Sequence, residues 1–199
     1  MANFGRQVSL RKKGVAGTIR METMTPNIVL VGFMGAGKTS VGKAIEQLKG
    51  YRFVDLDQVI VQICGRSIPE IFSLRGEEAF RQLESAALRS LQGVRRTVLS
   101  TGGGIVGRAE NWETMHRFGP VVYLEADWAV LQERIGQGEG RPLASAEGGW
   151  EKVMALWEKR LPLYLQADLR VDCSQGSPEQ VALAVLGKLN EWSGTWWKK

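Results

Sequence analysis

Short apolar runs alternate with segments of helical periodicity along most of the chain. Five of these runs are apolar at successive positions rather than at every second one, which is typical of parallel strands covered by helices on both faces. The predicted strands are residues 28–31, 53–54, 98–99, 121–124 and 169–171. The pattern therefore predicts an α/β fold, a doubly wound five-stranded parallel sheet flanked by helices.

Helix start and stop signals fill the intervals between these strands. A helical pattern begins at Lys38 and ends before Gly50, a residue type that favours helix ends. The segments 67–70 and 177–180 each fit a capping box, and the second also has Pro178 at the first helical position. Together, these signals place a helix after the first strand and two more further along the chain.

The chain has 199 residues, of which 44% are hydrophobic, so it can bury one sizeable core. Residues 1–24 have no sustained apolar period, and we expect a basic, disordered arm there. The domain is predicted to span residues 25–191, followed by a tryptophan-rich tail at 192–199. Within the domain, the glycine-rich stretch at about 134–149 is expected to form a mobile lid.

The net charge of +5 is unevenly distributed, because residues 1–25 carry five basic side chains against one acidic side chain. The rest of the chain is nearly neutral, which argues against a nucleic-acid partner. No apolar stretch is long enough for a membrane span, so no membrane partner is predicted. The two cysteines, Cys64 and Cys173, match no metal-binding spacing, and we expect a cytoplasmic protein without disulfides.

A phosphate-binding loop follows the first predicted strand and opens the first helix. The segment from Gly32 to Thr39 fits the pattern G-x-x-x-x-G-K-[ST]. Glycines let backbone N–H groups curl around a polyphosphate, lysine supplies positive charge, and the threonine hydroxyl can coordinate Mg²⁺. The predicted ATP-binding residues of this loop are Gly35, Ala36, Gly37, Lys38, Thr39 and Ser40.

Two carboxylates, Asp55 and Asp57, close the second predicted strand. Because alternate residues of a strand share a face, both are expected to point into the crevice at the carboxyl ends of the sheet. One could hold Mg²⁺ and the other could accept a proton from a hydroxyl substrate. The alternative is structural, a helix N-cap followed by a solvated acid.

The chain length excludes most motors and helicases, and no N-K-x-D motif of GTPases is present, which favours a compact kinase. From about residue 27 to 190, the sequence resembles the shikimate kinase family. The resemblance rests on five motifs besides the phosphate loop: Phe53-x-Asp55-x-Asp57, residues 67–72 with Gly76, Glu77, Phe80, Arg81 and Glu84, the segment 100–104, Arg141-Pro142-Leu143, and Arg160 with Tyr164.

This resemblance implies a P-loop NTPase-like fold and ATP-dependent phosphorylation of the 3-hydroxyl of shikimate, with Mg²⁺. It implies that the catalytic residues are Lys38, Asp57 and Arg141, and that the metal is held by Thr39 and Asp55. ATP would also contact Arg134, Arg141 and Gly176. Shikimate would be bound by Asp57, Arg81, Gly102, Gly103, Gly104 and Arg160. We expect a monomer.

Other interpretations remain open on the residues alone. A gluconate-type or nucleoside-monophosphate-type kinase would keep the reaction and change the acceptor, and a nucleotide-dependent nucleic-acid binder would act through the basic arm. Arg81 could be a surface residue paired with Glu84, and Arg160 could lie on a solvated helix face. The segment 175–177 reads Gln-Gly-Ser near the position where the family often has an arginine facing adenine, so the adenine contacts depart from the family pattern.

Overall fold

The computed structural model describes residues 26–137 and 149–196, with side chains described as far as residue 192. The predicted arm at 1–24 lies outside the described residues, and so does Arg141 with most of the predicted lid.

Five parallel strands form one sheet: β1 Ile28–Val31, β2 Arg52–Asp55, β3 Thr97–Ser100, β4 Val121–Glu125 and β5 Leu169–Asp172. Their order is β2-β3-β1-β4-β5, as expected for a doubly wound sheet. At its centre, Val29 of β1 lies in register with Leu99 of β3 and Val121 of β4. The strand order reverses at β1, and open α/β sheets bind ligands beyond the carboxyl ends of the strands at such a point.

Burial differs between the central and the edge strands. Every residue of β1 and β3 is buried, as are the first four residues of β4. In contrast, β2 has no fully buried residue, and β5 buries only Val171. Full burial on both faces therefore holds for the three central strands. The edge strands have a neighbour on one side only, and their outer positions reach solvent.

Seven α-helices lie within the described residues: α1 Lys38–Lys49, α2 Leu56–Cys64, α3 Ile68–Ser90, α4 Ala109–Phe118, α5 Trp128–Gly136, α6 Gly149–Tyr164 and α7 Pro178–Trp196. Helix α1 packs against α7, whereas α2 packs against α3, and α3 against α4. The last helix continues past residue 192, where the predicted tail begins. None of these described helices has the length and apolar character that a bilayer crossing requires.

Both predicted capping boxes are present. The Ser67 backbone N–H donates to the Glu70 carboxylate at 2.7 Å, and the Glu70 N–H donates to the Ser67 hydroxyl at 3.4 Å. The same reciprocal pair joins Ser177 and Gln180, at 2.8 Å and 3.4 Å. These bonds fix the starts of α3 and α7 by satisfying N–H groups that have no partner inside the helix.

Candidate active site

The loop between β1 and α1 curls around its own lysine. Gly35 and Gly37 both have a φ of 84°, a left-handed conformation that favours glycine. The Lys38 ammonium donates to the carbonyl oxygens of Gly32 at 2.8 Å and Phe33 at 3.1 Å. The loop thus carries its positive charge at the N-terminus of α1, where the helix dipole also favours an anion.

A cleft of about 560 Å³ opens beside this loop. Its lining brings together twelve of the predicted site residues: Gly35, Ala36, Gly37, Lys38, Thr39, Ser40, Asp55, Asp57, Gly102, Gly103, Arg134 and Gly176. They come from loops and helix starts that are far apart in sequence and meet beyond the carboxyl ends of the strands. This is the place where the fold class predicts a ligand site.

The two aspartates are arranged differently from the prediction. Strand β2 ends at Asp55 and α2 begins at the next residue, so Asp57 lies in the first turn of a helix. Asp55 is the N-cap, and its Oδ1 accepts from the N–H groups of Asp57 at 3.1 Å and Gln58 at 3.4 Å. The prediction that both share one strand face is therefore wrong, although both side chains line the cleft.

The second oxygen of Asp55 has a different partner. Its Oδ2 accepts a 3.0 Å hydrogen bond from the Thr39 hydroxyl, and the Ser100 hydroxyl lies 3.5 Å from that of Thr39. Three oxygen ligands of the kind that Mg²⁺ prefers thus meet at the edge of the cleft. The capping role of Asp55, which orients its carboxylate, is compatible with a role toward a metal.

Arg81 is paired with acidic residues on its own helix. Its Nη1 donates to Glu84 at 2.6 Å and its Nη2 donates to Glu77 at 2.9 Å. The side chain of Glu84 is only 1% exposed. The guanidinium also lies over the rings of Phe72 and Phe80, with 6.0 Å and 5.4 Å to the centroids. The alternative pair with Glu84 does exist, but the structure buries it instead of placing it on the surface.

The geometry of α3 explains how Arg81 reaches this position. Gly76 breaks the helix with a φ of 77° and a ψ of 174°. Phe72 before the break and Phe80 after it then pack together with tilted rings, whose centroids are 4.5 Å apart. The second half of α3, redirected by the glycine, carries Arg81 and Glu84 on the side that faces the glycine segment after β3.

Gly102 packs directly against two buried carboxylates. A Cβ on this residue would stand 2.7 Å from Glu84 Oε1 and 2.9 Å from Asp57 Oδ1. Both of these oxygens are buried and accept no hydrogen bond from the described residues. Burial raises the pKa of both carboxyl groups, and the nearby charge of Asp55 raises the pKa of Asp57 further. Two proton-accepting oxygens therefore border one end of the glycine segment.

The next two glycines lie against two guanidinium groups. A side chain on Gly104 would overlap the guanidinium of Arg81, and a Cβ on Gly103 would stand 3.5 Å from Arg160 Nη1. The segment 102–104 thus passes between two carboxylates and two arginines. An acceptor with a carboxylate at one end and hydroxyls at the other would match this charge distribution.

A search of known families identifies the chain. The family model described as shikimate kinase matches residues 34–190. The chain belongs to the shikimate kinase family. The resemblance predicted from the motifs is therefore confirmed.

Individual relatives agree with this assignment. The shikimate kinase of Thermodesulfovibrio yellowstonii is 42% identical over 160 residues, which are 80% of this chain and 92% of that protein. The shikimate kinase of Geobacter sulfurreducens is 43% identical over 80% of this chain and 88% of its own. These identities extend over nearly the whole length of each relative.

Solved structures place this member of the shikimate kinase family among P-loop kinases. The shikimate kinase from Acinetobacter baumannii in complex with shikimate has a TM-score of 0.78 and 37% identity, covering 83% of this chain and 93% of that one. A gluconokinase from Sinorhizobium meliloti has a TM-score of 0.58 at 23% identity, a likeness that shows the fold alone. The predicted fold class is confirmed.

No site role was predicted for several residues that lie at this shikimate kinase site. Ser100, Cys173 and Pro178 also line the cleft, and Tyr164 contacts the glycine segment. Glu84 carries the clearest missed signal, since it is an acid on the apolar face of a helix, three residues after an arginine. Ser100 and Tyr164 stand in motifs of the family resemblance, whereas Cys173 and Pro178 have no such signal, because their spacing in the sequence does not show that they border the cleft.

Proposed function

We propose that this cleft transfers the γ-phosphoryl group of ATP to the 3-hydroxyl of shikimate. The activity, ATP-dependent phosphorylation of shikimate, is that of the family. The single observation that supports the site assignment is the glycine segment 102–104, whose first two residues line the phosphate-loop cleft and whose last two lie against Arg160 and Arg81. A donor and an acceptor bound on its two sides would meet at Asp57.

On the donor side, the phosphate loop would hold the polyphosphate through its backbone N–H groups, and Lys38 would neutralise charge on the transferring group. Arg134 would face the base. Its guanidinium donates to the carbonyl oxygens of Cys173 at 2.8 Å and Ser174 at 3.3 Å, which fixes its plane beside Gly176 in the cleft. A flat, fixed guanidinium is suited to stacking on an aromatic ring.

On the acceptor side, Arg81 and Arg160 would bind the substrate carboxylate. The hydrogen bonds of Arg81 to Glu84 and Glu77 hold its planar group in place before any ligand arrives. Such preorganisation lowers the entropy cost of binding and favours a bidentate carboxylate contact. The backbone of Gly103 and Gly104, free of side chains, would allow the acceptor to approach closely.

Asp57 is the proposed proton acceptor. Its Oδ1 is buried against Gly102 without a hydrogen-bond donor among the described residues. Because burial and the charge of Asp55 raise its pKa, the carboxylate is a stronger base than an exposed aspartate. A substrate hydroxyl placed beside Gly102 would donate a hydrogen bond to Asp57 Oδ1. The carboxylate could then accept the proton of that hydroxyl.

Mg²⁺ fits the oxygen cluster of Thr39, Asp55 and Ser100. We propose that Thr39 and Asp55 hold the ion, directly or through water, and that ATP oxygens complete its coordination. When bound, the ion neutralises charge on the phosphates. Within the described residues no group of three or more His, Cys, Asp or Glu side chains forms a metal cluster.

Arg141 completes the proposed catalytic set. It lies outside the described residues, and its assignment rests on its match to the family motif at 141–143. An arginine contact made mainly in the transition state would lower turnover when removed, with little effect on shikimate affinity. We further propose that the enzyme acts as a monomer in the cytoplasm.

The proposal is tested by a coupled ATPase assay with shikimate, gluconate and AMP as separate acceptors. Of the three acceptors, we expect only shikimate to support turnover. NMR of the product should show phosphorus coupled to the proton at carbon 3. Faster turnover with gluconate, or a phosphate on another hydroxyl, would overturn the acceptor assignment. Arg141→Ala in the same assay tests the role given to that residue.

A further inference from the structure

Tyr164 joins helix α6 to the glycine segment. Its hydroxyl donates a 2.7 Å hydrogen bond to the carbonyl oxygen of Gly103. The side chain is fully buried, and its ring stacks on Tyr123 with centroids 5.2 Å apart and planes 12° apart. Tyr123 belongs to β4, next to the central strand β1. The stacked ring of Tyr123 therefore anchors Tyr164, and with it the hydroxyl, to the core of the sheet.

Arg160 lies one helical turn before Tyr164, so both side chains project from the same face of α6. They meet at a single point. A Cβ on Gly103 would stand 3.4 Å from Tyr164 Oη and 3.5 Å from Arg160 Nη1. The hydroxyl and the guanidinium thus approach the same glycine, and only the hydroxyl makes a hydrogen bond to its backbone that sets an orientation.

The hydrogen bond to Gly103 also orients the following N–H group. The peptide bond between Gly103 and Gly104 is trans, since the described chain contains no cis peptide. In a trans peptide the C=O and the N–H point in opposite directions. With the Gly103 carbonyl held toward Tyr164, the Gly104 N–H must point away from it. Glycine backbones are otherwise the least restricted of all residues.

We propose that Tyr164 is a positioning residue for the acceptor site. Its hydroxyl fixes the orientation of the peptide between Gly103 and Gly104 relative to the guanidinium of Arg160. This inference rests on the proposed function, because it assigns the locked peptide and the arginine to binding of the shikimate carboxylate. Tyr164 itself does not act on the substrate. Its fully buried hydroxyl donates to the Gly103 carbonyl and also interacts with the guanidinium of Arg160.

The titration of Tyr164 is consistent with this role. Burial raises the pKa of its hydroxyl to about 12. The group therefore remains protonated, and remains a donor, throughout the pH range in which the enzyme would be assayed. Removing the hydroxyl should act on the geometry of the segment and not on any proton transfer.

The test compares Tyr164→Phe with Tyr123→Phe. Each variant loses one hydroxyl from the same stacked ring pair, but only Tyr164 bonds to the glycine segment among the described contacts. For Tyr164→Phe we expect the KM for shikimate to rise roughly five- to tenfold, the effect of losing one buried hydrogen bond. The KM for ATP should change less than twofold. Tyr123→Phe should leave both values unchanged.

Amide hydrogen exchange provides a second readout that does not depend on activity. Exchange in the peptide containing residues 102–107 should be faster in Tyr164→Phe than in the wild type or in Tyr123→Phe. Unchanged exchange with an unchanged shikimate KM would overturn the positioning role, and so would an equal rise in both KM values. Failure of the wild-type enzyme to phosphorylate shikimate would instead overturn the proposed function and, with it, this assignment.

Discussion

The guanidinium of Arg81 occupies the space that a side chain on Gly104 would need. Gly104 has a φ of −92° and a ψ of −11°, a backbone conformation open to any residue. The need for glycine at this position therefore comes from the arginine packed against it and not from the conformation of the chain. Both residues belong to the proposed acceptor site.

Replacing Gly104 by alanine should displace Arg81 without unfolding the protein. The new methyl group meets the far end of a flexible side chain, which can move, but the displaced guanidinium would no longer lie where we propose that the acceptor carboxylate binds. We expect the KM for shikimate to rise roughly tenfold or more, the cost of one charge-assisted contact. Steady-state kinetics with each substrate varied in turn would measure it.

Gly107→Ala is the matched control for that variant. Gly107 is three residues further on, and nothing lies within 4 Å of the position of its added methyl group. Its kinetics should match those of the wild type. An equal rise of the shikimate KM in both variants would show that the segment tolerates no alanine for a reason unrelated to Arg81.

The pairing of Arg81 with buried Glu84 changes how the arginine should be tested. Arg81→Ala alone would leave an unpaired carboxylate in the interior, a loss of about 3–5 kcal/mol for a broken buried pair. The double variant Arg81→Ala/Glu84→Gln removes both charges. It should fold and bind shikimate about 10- to 150-fold more weakly, with ATP affinity little changed. Calorimetric titration with each ligand measures both affinities.

Two further variants complete the comparison. Glu84→Gln alone keeps the arginine and serves as the control for the loss of the acid. Arg81→Lys keeps the charge but not the planar fork, so it should restore shikimate binding only partly. Normal shikimate affinity in the double variant would remove Arg81 from the acceptor site and would favour a gluconate-type acceptor.

Asp57→Asn should abolish turnover and stabilise the fold. The pKa of Asp57 is raised, so its ionised form opposes folding at every pH above that raised value. The neutral amide removes this penalty, and we expect a melting temperature about 2–4 °C higher at pH 7, the equivalent of roughly 1 kcal/mol. Thermal denaturation of both proteins measures the difference.

The pH dependence of that difference tests its cause. As the pH falls through the raised pKa toward about 4, the ordinary value of an aspartate, the wild-type carboxyl takes up its proton in the folded state. The penalty then disappears, so the two melting temperatures should converge. A difference that stays constant with pH would exclude the charge of Asp57 as its origin.

Lys38→Ala should abolish phosphoryl transfer with little loss of stability. The ammonium lies in the loop, where it donates to the carbonyl oxygens of Gly32 and Phe33, and it is not part of the hydrophobic core. Lys43→Ala, an exposed lysine on the same helix, is the control and should retain full turnover. Wild-type activity in Lys38→Ala would show that the lysine has no role in the transfer.

Much of the fold could be predicted from the sequence because its signals are local. Apolar runs marked the central strands, and serine with glutamate or glutamine three residues later marked the starts of α3 and α7. The phosphate loop was recognisable because its glycines and Lys38 act through the backbone around them. Each of these features depends on neighbours within a few residues.

The details of the acceptor site depended on tertiary structure. The sequence could not show that Asp57 lies in the first turn of a helix rather than at the end of a strand, because the boundary between β2 and α2 falls between two residues that fit either element. Nor could it show that the pair of Arg81 and Glu84 is buried, since a pair three residues apart looks the same on an exposed helix face.

The sequence by itself determined the fold class, the phosphate loop and the set of charged residues available to the acceptor. Only the tertiary structure decided which of them meet around residues 102–104, where Asp57, the pair of Arg81 and Glu84, and Arg160 approach from three different helices. Burial raises the pKa values of the two carboxyl groups, and α6 brings Tyr164 to the Gly103 carbonyl. Desolvation and contacts between distant segments have no local signal in the chain, because both arise when the helices pack.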